Sequence, residues 1–332
     1  MAFTSGSVAD FDALFSTLLT ELTSNADLVS AGQEWTQEWN VGDQYVLRGP
    51  GLAGTDNIYI GLEKIKDAGN TIYDIRLYGM KGFNASAANM SEHVGVAPAY
   101  VKLLAADSAM NYWLTMSGRR FVFVVKVSTY YEALYGGFYL PFVTPAEYPY
   151  PLFVGGAGGP IIDSDNDPER WNDATWAHRI FVDSMYDEGT SGTHLASPSA
   201  RFLPPDGLWN TVNHYRYGPQ TYVFFPTIHN YNCEPSTGDF HTKWWDDAKW
   251  KPWSHVVVEK SRECLGGGYP ATPLSIVRRG VFESLGTMDG VFRVPSNGLT
   301  AEAAITIDGD PAIVFPNVWR QDARDMWALK TV

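Results

Sequence analysis

The feature that most constrains the fold is an apolar run in the middle of the chain, Arg120–Val127, which has the sequence RFVFVVKV. Positions 121–125 are all Phe or Val, so the run lacks the alternation of apolar and polar residues that marks a strand with one solvated face. Val and Phe also favour a strand, because branched and aromatic side chains pack well on a pleated surface. The run therefore predicts a central β-strand that is covered by protein on both faces.

The rest of the chain after Trp39 has the pattern of antiparallel sheets, in which short apolar runs are separated by Gly, Pro, Asn and Asp. These runs predict strands near 43–48, 57–65, 71–79, 178–182, 221–227 and 255–259. The pairs Asp289-Gly290 and Asp308-Gly309 lie between apolar runs, a position typical of hairpin turns. We expect a mainly β fold of antiparallel β-sandwich or meander domains, with an N-terminal α-helix and long ordered loops.

One helix is predicted, over residues 7–30. Ser7 and Asp10 have the spacing of a capping box, and an apolar stripe follows them. The stripe consists of Phe11, Phe15, Leu18 and Leu22. Such a stripe needs a partner, and two alternatives are open. The helix lies on its own domain, or it is an arm that docks on a neighbouring subunit and makes these four residues interface residues.

Four regions are expected along the chain. The segment 140–160 reads LPFVTPAEYPYPLFVGGAGGP, and its prolines and glycines predict an ordered loop followed by a domain boundary near 156–160. We predict an N-terminal helical arm over 1–35, a first β domain over 36–156, a polar loop-rich insert over 157–220 and a C-terminal β domain over 221–332.

Charge and composition exclude several classes of partner. The net charge of −13 and the absence of a Lys/Arg run disfavour nucleic acid. No stretch of about 18 apolar residues occurs, so we expect no membrane insertion, and the first residues lack the pattern of a signal peptide. The only cysteines, Cys233 and Cys264, are too few for a disulfide framework and indicate a reducing compartment, although a bridge between them stays open.

Aromatic residues are the candidates for subunit contacts. Only 18% of the residues are charged, whereas the chain contains 17 Phe, 18 Tyr and 12 Trp, so some aromatic side chains are expected at interfaces. Tyr148 and Tyr150 belong to the run YPYPLF, whose prolines fix the backbone and suit it to docking; the alternative is a loop folded over its own core.

A tryptophan cluster is the second aromatic candidate. It consists of Trp244, Trp245, Trp250 and Trp253, which are interleaved with Lys and Asp. A cluster of this kind suits a protein interface, and the alternative is a platform on which sugar rings stack.

Catalytic and metal-binding patterns are weak. The chain has no GxSxG, HExxH, GxxxxGK[ST] or GxGxxG motif. The acidic loop 163–167 spaces its carboxylates as a calcium loop does, but Pro168 replaces the turn glycine and Ala174 the bidentate glutamate. His229, Cys233 and His241 make an incomplete zinc set. We therefore expect no enzyme, no cofactor and no metal, and we assign no catalytic residue.

Three segments carry a family resemblance. They are 116–156, which begins MSGRRFVFVVKVSTYYEALYGGFYLPF, 47–62, which reads LRGPGLAGTDNIYIGL, and 286–330, which begins GTMDGVFRVPSNGLTAEAAITIDGDPAIVF. Together they resemble an uncharacterised family of virion structural proteins encoded beside the tail genes of tailed bacteriophages.

The resemblance implies a tail or baseplate component that is assembled in the host cytoplasm and carried in the virion. Its partners would be copies of itself, as a homo-oligomer, and other tail or baseplate proteins. The alternative is a receptor-binding tail protein that recognises a host-surface glycan. A capsid-associated protein and a glycan depolymerase rank below both.

Overall fold

The computed structural model describes residues 1–157, 200–212, 222–225, 271–278, 283–294, 299–316 and 326–332. It is mainly β, with antiparallel sheets and helical structure near the N terminus, as the sequence predicts. The elements are β1 (Ala2–Val8), α1 (Phe11–Ser24), α2 (Ala26–Ala31), β2 (Thr36–Val41), β3 (Gln44–Gly49), β4 (Ile58–Asp67), β5 (Ile72–Met80), a 3₁₀ turn (Met90–Glu92), β6 (Val101–Leu104), β7 (Met110–Met116), β8 (Arg120–Val127), β9 (Tyr130–Phe138), β10 (Leu140–Pro141), β11 (Leu152–Gly155), β12 (Ala200–Phe202), β13 (Asn210–Thr211), β14 (Tyr222–Phe225), β15 (Thr272–Arg278), β16 (Glu283–Val294), β17 (Ala304–Ile307), β18 (Asp310–Pro316) and β19 (Met326–Lys330).

These strands form three antiparallel sheets. The central sheet has the order β1-β7-β8-β9-β11-β12-β13, and the N-terminal sheet has the order β2-β3-β4-β5-β6. The C-terminal sheet has the order β14-β15-β16-β19-β18-β17, with β10 paired to β16. Helix α1 and the N-terminal sheet share one apolar core with the central sheet, and the C-terminal sheet shares a second core with the other face of the central sheet.

Strand β8 explains why its sequence is apolar throughout. Phe121, Phe123 and Val125 point into the core shared with the N-terminal sheet, whereas Val122 and Val124 point into the core shared with the C-terminal sheet. All five are completely buried. Because successive side chains of a strand face opposite ways, a strand between two cores must be apolar at every position. The predicted central strand is confirmed.

The first 31 residues differ from the prediction of one helix over 7–30. Residues Ala2–Val8 are strand β1, which pairs with β7 over seven residues, so Ser7 lies in a strand. Helix α1 begins at Phe11 because the side chain of Asp10 accepts a hydrogen bond of 2.8 Å from the backbone N–H of Ala13. A short second helix follows, and it ends at Gly32, whose φ of 63° suits glycine.

The sheets cross the predicted domain bounds. The central sheet takes β1 from the predicted arm 1–35, four strands from 36–156, and β12 and β13 from the predicted insert 157–220. Strand β10 pairs with β16 of the predicted C-terminal domain. The prediction of a separate arm and a separate loop-rich insert is therefore wrong for the described parts of both, because pairing joins strands that are far apart in sequence.

One of the two predicted hairpin turns is confirmed. Asp308 and Gly309 join β17 to β18 with φ values of 53° and 90°, as a two-residue turn requires. Asp289 and Gly290 do not form a turn, because β16 passes through them: its first half pairs with β10 and its second half with β19. The predicted strands near 43–48, 57–65, 71–79 and 221–227 correspond to β3, β4, β5 and β14, whereas 178–182 and 255–259 lie outside the described residues.

Candidate interaction surface

The apolar stripe of helix α1 is used within the chain. Phe11, Phe15, Leu18 and Leu22 are at most 3% exposed and belong to the core that α1 shares with the central and N-terminal sheets. The ring of Phe11 lies 5.7 Å from that of Tyr73. Of the two alternatives, the helix lying on its own domain is therefore right. The prediction that these four residues form an intersubunit interface is wrong, because β1 and the core already hold α1 in place.

Tyr148 and Tyr150 are internal anchors. The buried hydroxyl of Tyr148 donates to the carbonyl oxygen of Leu203 and bonds the hydroxyl of Tyr139. The hydroxyl of Tyr150 accepts from the backbone N–H of Tyr59 and donates to the carbonyl oxygen of Met80, each at 3.0 Å. Burial raises the pKa of both phenols. Their rings are committed to the chain's own core, so the predicted docking role does not belong to these two side chains.

The two tyrosines anchor a loop whose tip, residues 142–147, is exposed. Phe142 is 60% exposed and Val143 is also exposed. The carboxylate of Glu147 closes the tip by accepting bonds from the backbone N–H of Thr144 at 3.0 Å and from its hydroxyl at 2.9 Å. These bonds hold the pKa of Glu147 below its ordinary value. The tip therefore presents two apolar side chains from an ordered backbone.

Three more loops, 50–57, 81–100 and 203–209, lie at the same end of the molecule. The Tyr150 bonds join the 142–151 loop to the start of β4 and the end of β5. Lys81 Nζ donates to the carbonyl oxygen of Gly207 at 2.5 Å, and Trp209 Nε1 donates to that of Gly95 at 2.8 Å. These bonds fix the 203–209 loop against the 81–100 loop.

Exposed apolar side chains collect on these four loops. They are Leu52, Val94, Phe142, Val143 and Leu208, which we call the loop-end surface. They make up five of the ten large apolar side chains that are exposed in the described part of the chain, and Leu208 is 67% exposed. Single exposed apolar residues are ordinary, but a collection at one end on anchored loops is typical of a contact surface.

The 81–100 loop depends on a buried histidine. The Nδ1 atom of His93 accepts a hydrogen bond of 3.0 Å from the backbone N–H of Asn84. The rings of His93 and Trp39 are nearly perpendicular, with their centroids 4.6 Å apart. Trp39 Nε1 in turn donates to the carbonyl oxygen of Ala87 at 3.1 Å. Burial lowers the pKa of His93, so the ring is neutral in the folded chain at pH 7.

A polar cluster lies on the outer face of the N-terminal sheet. The carboxylate of Glu63 accepts hydrogen bonds from the hydroxyl of Tyr78 at 2.6 Å and from the amide of Gln44 at 2.7 Å. Arg76 Nη1 lies 3.6 Å from Glu63 Oε2, and the guanidinium of Arg76 lies over the ring of Tyr100. Burial raises the pKa of Tyr78, so its hydroxyl stays protonated and donating. With these donors the carboxylate of Glu63 serves as a structural acceptor that links β3, β4 and β5.

Several sequence candidates lie outside the described residues. They are Trp244, Trp245, Trp250, Trp253, the acidic loop 163–167, His229, Cys233, His241 and Cys264. Among the residues that the structure does describe, no three His, Cys, Asp or Glu side chains are grouped as metal ligands would be. Of the described helices, none has the length and apolar character needed to span a bilayer.

No protein-family model matches the chain, and no curated protein matches it either.

Proposed function

We propose that this protein is a structural subunit of a tailed-bacteriophage virion, in the tail or baseplate, and that it acts by packing against other virion proteins and copies of itself. The observation that carries the packing role is the loop-end surface, with Phe142 and Leu208 exposed on anchored loops. The assignment to a virion rests on the resemblance of segments 47–62, 116–156 and 286–330 to the phage tail-associated family.

The chemistry of the loop-end surface suits a protein partner. Removing apolar surface from water is favourable by about 25 cal/mol per Å², from which the entropic cost of association is subtracted. Loops that are already fixed lose little conformational entropy on binding, and here Tyr148, Tyr150 and Glu147 fix the tip before any partner arrives. The surface therefore meets two conditions for tight packing, exposed apolar groups and a preorganised backbone.

Two carboxylates of the described residues, Glu63 and Glu147, support packing over catalysis. Glu63 is held by several donors, and the carboxylate of Glu147 closes a turn. A general acid or base needs a proton-transfer position that is open to substrate. Both carboxylates instead have structural partners, which favours a non-enzymatic role for this part of the chain.

Mass spectrometry of gradient-purified particles tests the proposal. We expect peptides of this chain in intact particles, at a fixed ratio to known tail proteins and through repeated gradients. Particles that contain the other tail proteins but lack these peptides would refute a virion role.

A binding experiment with the purified chain tests the alternative of a receptor-binding protein. Tryptophan fluorescence is titrated with host surface polysaccharide, using the wild type and a variant in which Trp244, Trp245 and Trp250 are all replaced by Ala. We expect no saturable shift, and we expect the triple variant to be incorporated poorly into particles. A saturable shift that the variant loses would instead favour glycan recognition by the tryptophan cluster.

A further inference from the structure

Strand β1 is a sheet edge without the usual protection. It pairs with β7 through seven consecutive residues with no bulge, and β7 is its only partner among the described strands. Its sequence, AFTSGSV, contains no Lys, no Pro and no charged residue. Ser5, Gly6 and Ser7 are exposed, so no residue in the described part of the chain covers this part of the edge. An unprotected edge presents a row of backbone donors and acceptors to another strand.

The other edges of the described sheets are short or broken. Strand β2 has a bulge between Gln37 and Trp39, and its Glu38 forms an ion pair with Arg48. Strand β13 has two residues, β14 and β17 have four each, and β6 is bridged to Ala157. These features are the means by which sheets prevent edge pairing. Only β1 lacks them while being long enough to form a full ladder.

We propose that β1 pairs antiparallel with β1 of a second copy of this chain, about a two-fold axis that passes through Ser5. The two central sheets then become one continuous sheet. The inference goes beyond the proposed function, since it uses a different surface from the loop end and holds or fails independently of the virion assignment.

Side-chain size supports a second β1 as the occupant. Centring the pair on Ser5 places Thr4 opposite Gly6, and Phe3 opposite Ser7, of the other copy. Each large or medium side chain then meets a small one, and Ser5 meets Ser5. A two-fold contact of this kind is self-complementary, because each copy supplies both members of every pair.

Charge at the two ends of β1 selects the antiparallel orientation. The Val8 end is acidic, because four carboxylates there outnumber two lysines. The carboxylates belong to Asp10, Asp12, Asp43 and Asp107, and the lysines are Lys64 and Lys66. The Ala2 end is basic, since Arg119 and Arg120 share one carboxylate, Asp289, and Arg120 Nη2 lies 2.9 Å from Met1 Sδ. Antiparallel pairing sets each acidic end beside a basic end, whereas parallel pairing would join like charges.

Cysteine cross-linking tests the register. In a background that carries Cys233→Ser and Cys264→Ser, we compare Ser5→Cys with the matched control Ser7→Cys, two exposed positions on the same face of β1. Opposed residues of an antiparallel pair have Cα atoms about 4.5–5.5 Å apart, within the range of a disulfide. The two Ser7 positions would be about 14 Å apart. We expect mild oxidation to give a covalent dimer of Ser5→Cys and none of Ser7→Cys.

Light scattering of the full chain over a range of concentrations tests the association itself. We expect the wild type and Phe142→Asp to form dimers and Ser5→Lys to remain monomeric, because two lysines would meet on the axis. Circular dichroism confirms that each variant is folded.

Five outcomes would overturn the proposal, and the first four are single results. They are a wild type that is monomeric throughout, a Ser5→Lys variant that dimerises as the wild type does, equal cross-linking of Ser5→Cys and Ser7→Cys, and loss of the dimer in Phe142→Asp. A Ser5→Lys variant that is monomeric together with a Ser5→Cys variant that never cross-links would show that another strand occupies the edge, which also overturns it. None of these results bears on whether the chain is present in particles, so the two proposals fail separately.

Discussion

The guanidinium of Arg120 forms an ion pair with the carboxylate of Asp289, with Nε and Oδ2 3.4 Å apart, between the central and C-terminal sheets. Arg120 is completely buried, and its Nη1 also donates to Thr115 Oγ1 at 2.6 Å. Arg119 donates to the same carboxylate at 2.9 Å. Burial alone would raise the pKa of Asp289, but the charges of Arg120 and Arg119 outweigh it and hold the pKa below its ordinary value. One carboxylate therefore compensates the charge of a buried arginine.

Replacing Asp289 by Asn should cost stability because it leaves the charge of Arg120 buried without compensation. We expect the free energy of unfolding at pH 7 to fall by about 3–5 kcal/mol. As a control, Asp308→Asn removes a largely exposed partner of Lys330, and we expect a change of about 0.5 kcal/mol or less. Urea unfolding monitored by tryptophan fluorescence measures both.

The Asp289→Asn effect should also depend on pH. Because the folded pKa of Asp289 is depressed, its contribution is fully present above the ordinary pKa of 3.8 and is lost as the pH falls through the folded pKa. The difference between wild type and Asp289→Asn should therefore be constant near neutrality and shrink below about pH 4. A difference that grows with acidity would contradict the assignment of the ion pair.

Phe11→Asp should destabilise the isolated chain. The side chain of Phe11 is completely buried in the chain's own core, and truncating a buried Phe costs about 3–5 kcal/mol even without adding a charge. Val29→Asp on α2, where the side chain is exposed, is the control and should change stability by about 0.5 kcal/mol or less. Thermal unfolding of the purified wild type and of both variants measures these changes in stability. Wild-type stability in Phe11→Asp would mean that α1 is not part of the core.

The loop-end surface should affect assembly without affecting the fold. The double variant Phe142→Ser, Val143→Ser removes two exposed apolar side chains, so we expect unfolding within about 0.5 kcal/mol of wild type. Incorporation into particles, measured by quantitative mass spectrometry after complementation, should fall severalfold. Tyr130→Ser removes an exposed aromatic side chain at the start of β9, the opposite end of that strand from the 142–147 tip, and should be incorporated normally. If both variants are incorporated equally, the loop-end surface is not part of the proposed contact.

Acid should loosen the 81–100 loop through His93. The folded pKa of His93 lies below the ordinary 6.5, so its contribution to stability is constant at higher pH and falls as the pH drops through that value. Protonation also removes the acceptor that the N–H of Asn84 uses. Hydrogen exchange, corrected for the intrinsic rate, should show faster exchange of amides 81–97 at pH 5.5 than at pH 7.5. In His93→Gln this pH dependence should disappear.

Local patterns predicted the strands whose own residues carry the signal. Strand β8 shows continuous Phe and Val, and the β17–β18 turn shows Asp308-Gly309, the pair that a two-residue hairpin favours. Strand β1 was missed because Ser5, Gly6 and Ser7 include no β-branched or aromatic residue, the types that mark a strand in sequence. It exists because β7, about 110 positions along the chain, supplies a partner ladder. Pairing at that separation leaves no trace in a local window.

The candidate surface was harder to predict than the sheets. Tyr148 and Tyr150 were found from the prolines around them, but whether a ring anchors a loop or points outward depends on what lies beneath it. The exposed residues Phe142 and Leu208 are apolar, and apolar residues in sequence are first assigned to the core. The partial signal for Phe142 was its place between Pro141 and Pro145, in a segment that the prolines mark as a loop.

The central sheet begins at residue 2 and takes its last described strand from residues 210–211. During synthesis, a ribosome has therefore translated nearly two thirds of the chain before that sheet has all of these strands. Strand β8, with its unbroken Phe and Val sequence, is covered later still, because Val122 and Val124 pack against the C-terminal sheet of residues 222–330, and until then it is exposed to aggregation. The nascent chain thus depends on strands translated later to protect its most apolar strand, and chaperones are expected to bind it during that interval.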